Sequence, residues 1–362
     1  MFTKTHASDW TMGGLCACVV AFLLAGTAPA IVIETVPVGN VGNTGEWSGE
    51  GYGGFGTPRI CGAVDYEYEI GKYEVTAAQY CDFLNAVAKT DTYGLYNPLM
   101  DRSPTGCQIT QHGTEGSFTY DFSGGAVEAP GSMAADWQNR PVNYVSWGDA
   151  ARFANWLNNG QPSGEQNLST TEDGAYFLNG ATTDEQLVAV IREADWQWAV
   201  PTEDEWYKAA YHKNDGDTGN YYDYPTSNGT APSNELPAPD PGNTATFHIA
   251  TFPETIGAPY WRTEVGAHDN SPSPYGTFDQ GGNVYEWNED VEVFVDQDEY
   301  DRGLRGGSFD YYRYHLTAAV RNIYGPSQES DSVGFRVSNL PEPCTLSMLA
   351  LGAFAVLRRR NS

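Results

Sequence analysis

The densest run of chemically able side chains is Asp310-Tyr311-Tyr312-Arg313-Tyr314-His315. An imidazole titrates near neutral pH and can serve as a general base, provided that a second catalytic group stands beside it. Two readings follow: a reactive strip with His315 as the base, or a polar, aromatic groove wall that only binds. The absence of an evident second partner favours the wall. Other residues able to ligate or attack are dispersed. The histidines at 6, 112, 212, 248, 268 and 315 include no pair spaced by three or four, whereas a facial iron site gathers His and carboxylate ligands together. No nucleophile elbow, phosphate loop or HExxH motif occurs.

The cysteines are equally sparse. Cys16 and Cys18 lie near the N-terminus and Cys344 near the C-terminus, leaving Cys61, Cys81 and Cys107 in the body. No CxxC or Cys/His zinc spacing accompanies them. Three thiols in an exported domain allow one disulfide plus one free thiol, with the pairing open.

Charge excludes a whole class of partners. The chain carries 19 Lys+Arg against 47 Asp+Glu, a formal net charge of -28. Setting aside Lys4, Asp9, Glu342 and Arg358 to Arg360 at the two ends leaves 15 basic and 45 acidic residues. Nucleic-acid affinity rests on cations that neutralise phosphates, so no nucleic-acid partner is expected. Aromatics make up 13% and charged residues only 18%, which indicates an aromatic-packed globular domain rather than a disordered chain.

The ends read as targeting signals. Leu15 to Ala25 is an apolar run followed by Ala28-Pro29-Ala30, the pattern of a secretory leader occupying residues 1–30. Residues 341–362 read Pro341-Glu342-Pro343, then the apolar Leu346 to Leu357, then Arg358-Arg359-Arg360. Twelve helical residues rise about 18 Å, short of the ~30 Å hydrocarbon core, so this is a short, transient membrane anchor. The order of motif, apolar helix and basic stop resembles the PEP-CTERM sorting signal of Gram-negative bacteria. That resemblance implies a sorting transpeptidase as a partner, and display at the cell surface or in the extracellular matrix.

Three helices are expected to position whatever the body holds. Thr76 to Gln79 and Thr202 to Glu205 match the capping box, and Ser146 to Asp149 is a shorter version of it. Behind these starts, Tyr80, Phe83, Leu84 and Val87, then Ala150, Phe153, Ala154 and Leu157, then Trp206, Ala209 and Ala210 recur at helical spacing. Residues 31–59 read as a loose lead-in segment. Residues 160–195 and 213–270 read as insertions crowded with turn formers. From 212 to 340 no long amphipathic helix is apparent, only short strands such as Val333 to Val337. The fold class is α+β with much irregular backbone.

Six blocks then appear in order: Tyr68-Glu69-Ile70-Gly71-Lys72-Tyr73-Glu74-Val75-Thr76; Arg140-Pro141-Val142-Asn143-Tyr144-Val145-Ser146-Trp147; Val200-Pro201-Thr202-Glu203-Asp204-Glu205-Trp206; Gly281-Gly282-Asn283-Val284-Tyr285-Glu286-Trp287; Leu304-Arg305-Gly306-Gly307-Ser308-Phe309; and Val333-Gly334-Phe335-Arg336-Val337. Across about residues 60–340 this set resembles the formylglycine-generating enzyme, or sulfatase-modifying factor, family. The resemblance implies a C-type-lectin-like variant fold with little regular secondary structure and bound calcium.

It also implies a chemistry that this chain lacks the residues to perform. Oxidase members of the family bind copper through two cysteines near Arg-Gly-Gly-Ser, because soft Cu(I) prefers thiolates. Here Tyr311 stands where the first cysteine would fall, and no cysteine lies between 288 and 343, so no copper is expected. A second branch oxidises sulfur with His-bound iron, which the scattered histidines do not favour. Calcium is expected. By position, the resemblance places one site on the carboxylates of Asp279 and Glu286 with the carbonyls of Gly282 and Val284, and another at Asn243. Such hard oxygen donors suit Ca²⁺. The overall expectation is a calcium-stabilised, non-catalytic binding or structural module whose groove at Ser308, Tyr311 and Arg313 takes an extracellular peptide or glycan. The alternative is a divergent oxidoreductase-type enzyme using the same groove.

Overall fold

A computed structural model of the chain describes residues 30–341, apart from 55, 124–132, 250–253 and 295–298. The leader expected at 1–30 and the sorting signal expected at 341–362 lie, but for residues 30 and 341, outside the described residues. No helix among the described residues is long and apolar enough to cross a membrane.

All three expected helices form, at Ala77–Val87, Trp147–Asn158 and Glu203–Tyr211. Each opens with a reciprocal capping box, including the short version in which Asp149 reaches back 2.8 Å to the Ser146 amide. Each cap is worth about 1 kcal/mol, because it satisfies amide donors that the first helical turn leaves unpaired. A fourth box, Thr183 with Gln186, starts the short Asp184–Val188 helix inside the stretch read as an insertion.

The apolar stripes point inward as their spacing requires. Phe153 lies 5.3 Å from both Phe83 and Phe335 in edge-to-face contact, and 6.2 Å from Tyr80. Edge-to-face pairs match the positive ring edge to the negative face, so this cluster locks two helices to the Val333 segment. Truncating Phe153 to Ala would open a cavity at the centre and cost about 3–5 kcal/mol.

Two four-stranded sheets carry the rest. The first orders Thr35–Val38, Tyr68–Gly71, Ser338–Asn339 and Trp198–Ala199, all antiparallel, so both ends of the domain join one sheet. The lead-in segment therefore contributes directly: Thr35 pairs with Gly71, and Glu46–Ser48 pairs with Arg59–Cys61. Its glycines serve close packing, since a Cβ on Gly54 would sit 1.8 Å from the Ala319 carbonyl oxygen.

The second sheet orders Asn322–Tyr324, Glu299–Arg305, Tyr285–Phe294 and Val333–Gly334. The strand expected at Val333 to Val337 is thus split between sheets. Val333 and Gly334 pair in parallel with Tyr285 and Glu286, whereas Ser338 pairs with Ile70. Arg336, between them, is fully buried and bridges the two layers.

Candidate functional site

Arg336 is the hub of a buried charge cluster. Its Nε donates to Oε2 of Glu286, and its Nη2 donates to Oε1 at 2.7 Å. The same guanidinium donates to the Gly71 carbonyl at 2.8 Å and the Phe278 carbonyl at 2.9 Å. Trp206 Nε1 adds a third donor to Glu286 at 2.7 Å. Two further carboxylates face this pair. Asp279 is pushed up to about 6 by burial, against the Gly266 amide that it accepts at 2.5 Å. Glu74 is held well above the usual carboxylate range by burial, then by the charges of Asp279 and Glu286. One guanidinium thus faces three carboxylates.

The turn before Glu286 is shaped by backbone inversions at Asp279 (φ 60°), Gly282 (φ 94°) and Asn283 (φ 51°). A Cβ at Gly282 would lie 2.0 Å from the Thr246 carbonyl oxygen, so only glycine fits. Four of the expected calcium residues, Asp279, Gly282, Val284 and Glu286, therefore share one tight segment. Asn243 stands apart in another network, accepting from Thr226 at 2.6 Å and donating to the Thr230 carbonyl at 3.2 Å.

The donor chemistry fits a hard divalent cation, because excess buried negative charge surrounds oxygen ligands. The side-chain arrangement fits less well. Both Glu286 oxygens are already engaged, and among the described residues no group of three or more His, Cys, Asp or Glu side chains is placed to hold a metal ion. A cavity of about 330 Å³, lined in part by Glu74, Tyr73 and Val265, borders the cluster.

The expected ligand groove is less uniform than its sequence. Ser308 is completely buried and its hydroxyl makes no hydrogen bond with the described residues. Tyr311 is half-buried, its ring 5.0 Å from that of Tyr285 and 4.8 Å from that of His315. The Tyr285 hydroxyl and His315 Nδ1 are 2.6 Å apart, and burial lowers the His315 pKa. Neutral His315 thus has a phenol partner that sequence reading missed. Tyr312 and Tyr314 are 52% and 43% exposed and flank exposed Arg313 on a single turn of 3₁₀ helix. The three groove residues consequently divide, with Ser308 behind the wall, Tyr311 within it and Arg313 on its outer face.

The cysteines are not a redox pair. Cys61, Cys81 and Cys107 are all free and buried, so the disulfide allowed by their number does not form. Burial pushes the thiols of Cys61 and Cys81 up to about 12 and raises that of Cys107. Cys61 lies against Arg305 and Glu203, with Sγ 3.4 Å from Arg305 Nη2.

Short helices set on two small sheets, with long irregular connections, define a formylglycine-generating-enzyme-like domain of the C-type-lectin-like variety. The chain belongs to the family of the sulfatase-modifying factor enzyme 1-like domain, whose model matches residues 33–339. Among solved structures it is similar to Treponema denticola variable protein 1, at 16% identity and TM-score 0.50, covering 87% of this chain and 98% of that one. It is also similar to CarF, at 17% identity and TM-score 0.49, covering 86% and 99%. PvdO from Pseudomonas aeruginosa follows at 16% identity and TM-score 0.41, covering 85% and 94%. No curated protein matches the sequence.

Proposed function

We propose that this chain is an exported, surface-sorted, non-catalytic binding module of the sulfatase-modifying factor family, stabilised by calcium. One observation carries the reading. Where oxidase members need a thiolate pair beside Arg-Gly-Gly-Ser, this chain has Tyr311 and an exposed Tyr312-Arg313-Tyr314 strip. Its remaining body thiols are buried, and those of Cys61 and Cys81 are raised to about 12, so they supply neither soft ligands nor nucleophiles at neutral pH. Aromatic faces and one cation suit a peptide or a glycan, which stacks on rings and accepts hydrogen bonds. Export and sorting rest on the leader and on the Pro-Glu-Pro, apolar and Arg-rich tail, with the sorting transpeptidase as the partner at that tail.

Calcium as a structural ion rests on the surplus carboxylates Glu74 and Asp279 beside the Glu286–Arg336 pair. Asp279, Gly282, Val284 and Glu286 would hold it, and Asn243 would belong to a separate site. The ion would supply charge neutralisation, not chemistry. The runner-up, a divergent enzyme, draws on the Tyr285–His315 hydrogen bond.

The deciding experiment combines metal content with ligand capture. Elemental analysis of purified protein should find calcium without stoichiometric copper or iron, and chelation should lower the melting temperature. Tyr312→Ala and Arg313→Ala should weaken binding on a peptide and glycan array while leaving the melting temperature unchanged. Turnover of any substrate that Tyr311→Ala abolishes would overturn the non-catalytic reading.

A further inference from the structure

The folded body grips its chain from Ile31 onward. Ile31 and Ile33 pack against the main core while Val32 and Glu34 face outward, the alternation of a strand. Hydrogen bonds hold the stretch nearly residue by residue. Gln79 Nε2 donates to the Val32 carbonyl at 3.0 Å, and the Lys72 amide donates to the Glu34 carbonyl at 2.8 Å. Pairing with Tyr68–Gly71 takes over at Thr35. At Ile31 a side chain stands in for a neighbouring strand. Gln161 Oε1 accepts from the Ile31 amide at 2.7 Å, and Gln161 Nε2 donates to the Ile31 carbonyl at 2.9 Å.

The end of a helix puts Gln161 there. After Trp147–Asn158, Gly160 and Gln161 turn the chain at φ of 76° and 60°. Their amides donate back to the Leu157 and Trp156 carbonyls at 3.0 and 2.9 Å, satisfying acceptors that the last turn leaves open. On the far side, Trp156 Nε1 donates to the Pro162 carbonyl at 2.9 Å. Gln161 is therefore fixed from both sides, and its side-chain amide is preorganised for Ile31. The last turn of this helix carries no basic residue, so its negative pole lacks a cation of its own.

Ala30, just ahead of Ile31, is exposed and ends Ala28-Pro29-Ala30, the small-residue pattern at which a leader is cut. We infer that the Ala30–Ile31 bond is the processing site and that Gln161 seats the new N-terminus; the inference rests on reading residues 1–30 as a leader. A leader peptidase adds water across that bond, leaving Ala30 as a carboxylate and Ile31 with an α-ammonium. Before the cut, Gln161 Oε1 accepts from a neutral amide. After it, the same oxygen accepts from an ammonium, and a charge-assisted hydrogen bond is about twice as strong. Held by a residue just past the C-terminal end of the helix, the new charge also favours that pole. Ile31 is only half-buried, so water serves the other two ammonium protons. Removal of the leader thus tightens the first contact of the domain.

The test expresses the full chain with its leader in a Gram-negative host and reads the N-terminus of the exported protein by intact mass and sequential degradation. The expected first residue is Ile31. Export with cleavage at another bond overturns the inference and leaves the leader reading standing; retention of residues 1–30 overturns both. The seat is tested on the exported protein by brief acylation of α-amines at pH 7, quantified by peptide mapping. A hydrogen bond to the charged form holds the ammonium, so Ile31 should react at least about threefold more slowly than in Gln161→Leu. Gln161→Glu, which supplies a carboxylate, should also react more slowly than Gln161→Leu. Equal rates in wild type and Gln161→Leu would overturn the seat. If Gln161→Leu fails to fold, a synthetic peptide of residues 31–36 replaces it as the reference rate.

Discussion

Glu203 offers the cleanest test of the electrostatic reasoning. It is the first residue of the Glu203–Tyr211 helix and is buried. Its Oε1 accepts Arg305 Nε at 2.8 Å and Arg321 Nε at 2.6 Å. The two guanidinium groups more than offset the cost of burial and lower the Glu203 pKa from 4.5 to about 2. The partners agree, since both arginines are raised. A difference of roughly 2.5 units at about 1.4 kcal/mol per unit makes ionised Glu203 worth about 3 kcal/mol to the fold at pH 7. Independently, removing one member of a buried ion pair costs about 3–5 kcal/mol, because the other charge is left uncompensated.

Glu203→Gln should therefore destabilise by about 3 kcal/mol at pH 7 in urea denaturation. The sign with pH is fixed by the lowered pKa. The contribution is complete above the unfolded value near 4.5 and is lost as pH falls through about 2. The gap between wild type and variant should accordingly narrow by roughly half between pH 7 and pH 3. A gap below about 1 kcal/mol at pH 7, or one that does not change with pH, would refute the argument.

Three further outcomes follow from local geometry. Glu329 accepts from Asn97, and its pKa is raised by burial and by its hydrogen-bonded neighbour Asp149. A raised carboxyl contributes most below the unfolded value near 4.5 and loses that contribution as pH rises, so Glu329→Gln should match wild type near pH 4.5. At pH 8, with the wild-type carboxyl raised to about 8, it should exceed wild type by about 3–4 kcal/mol, read from denaturation midpoints. With Cys61 and Cys81 raised to about 12, their thiolate fraction at pH 8 is about one in ten thousand; peptide mapping after brief alkylation should find both unmodified until urea is added. Gly282→Ala, whose Cβ would fall 2.0 Å from Thr246 O at a φ of 94°, should cost on the order of 3 kcal/mol or more in thermal unfolding.

Helices were legible in the sequence wherever their signals were local. Thr76, Ser146 and Thr202 each announce a start through a residue only three positions away, and the apolar stripes behind them repeat every turn. The Thr183–Gln186 box is as clear, yet it opens a helix of only five residues, too short for a periodic stripe to support it. Partners distant in sequence were not legible. Glu286 and Arg336 are 50 residues apart; Arg336 stands as a lone charge in an apolar string, and Glu286 is followed closely by Glu289 and Asp290, so neither points to the other. Glu74, two residues after Lys72, carries no local signal of a role either. Its approach to Asp279 depends on how the two sheets pack, which no spacing rule encodes. Ser308 went the other way. Its place after Arg305-Gly306-Gly307 pointed to a groove, but the positive φ values of both glycines, 97° and 73°, turn the chain so that its side chain faces inward.

The buried arginines also change what the net charge means. Averaged over the chain, -28 already describes an acidic protein. Arg140, Arg152, Arg262, Arg302, Arg305, Arg321 and Arg336 are all buried, and so is Lys208. Eight of the 15 cations between the two ends are therefore interior, paired with carboxylates or donating to carbonyls, and the solvent-facing surface is poorer in cations than the composition implies. On such a surface an exposed guanidinium stands out. Arg313, between two exposed tyrosines, is a local positive point in a negative field, and that field falls off over about 10 Å at 0.1 M salt. A partner drawn to this strip must tolerate the acidic surroundings, so it is neutral overall or carries a single acidic group directed at Arg313. A strongly anionic glycan or peptide would be repelled by the rest of the face. Binding by a neutral or singly acidic ligand should weaken little with added salt, whereas a steep loss between 50 and 200 mM salt would contradict this placement of charge.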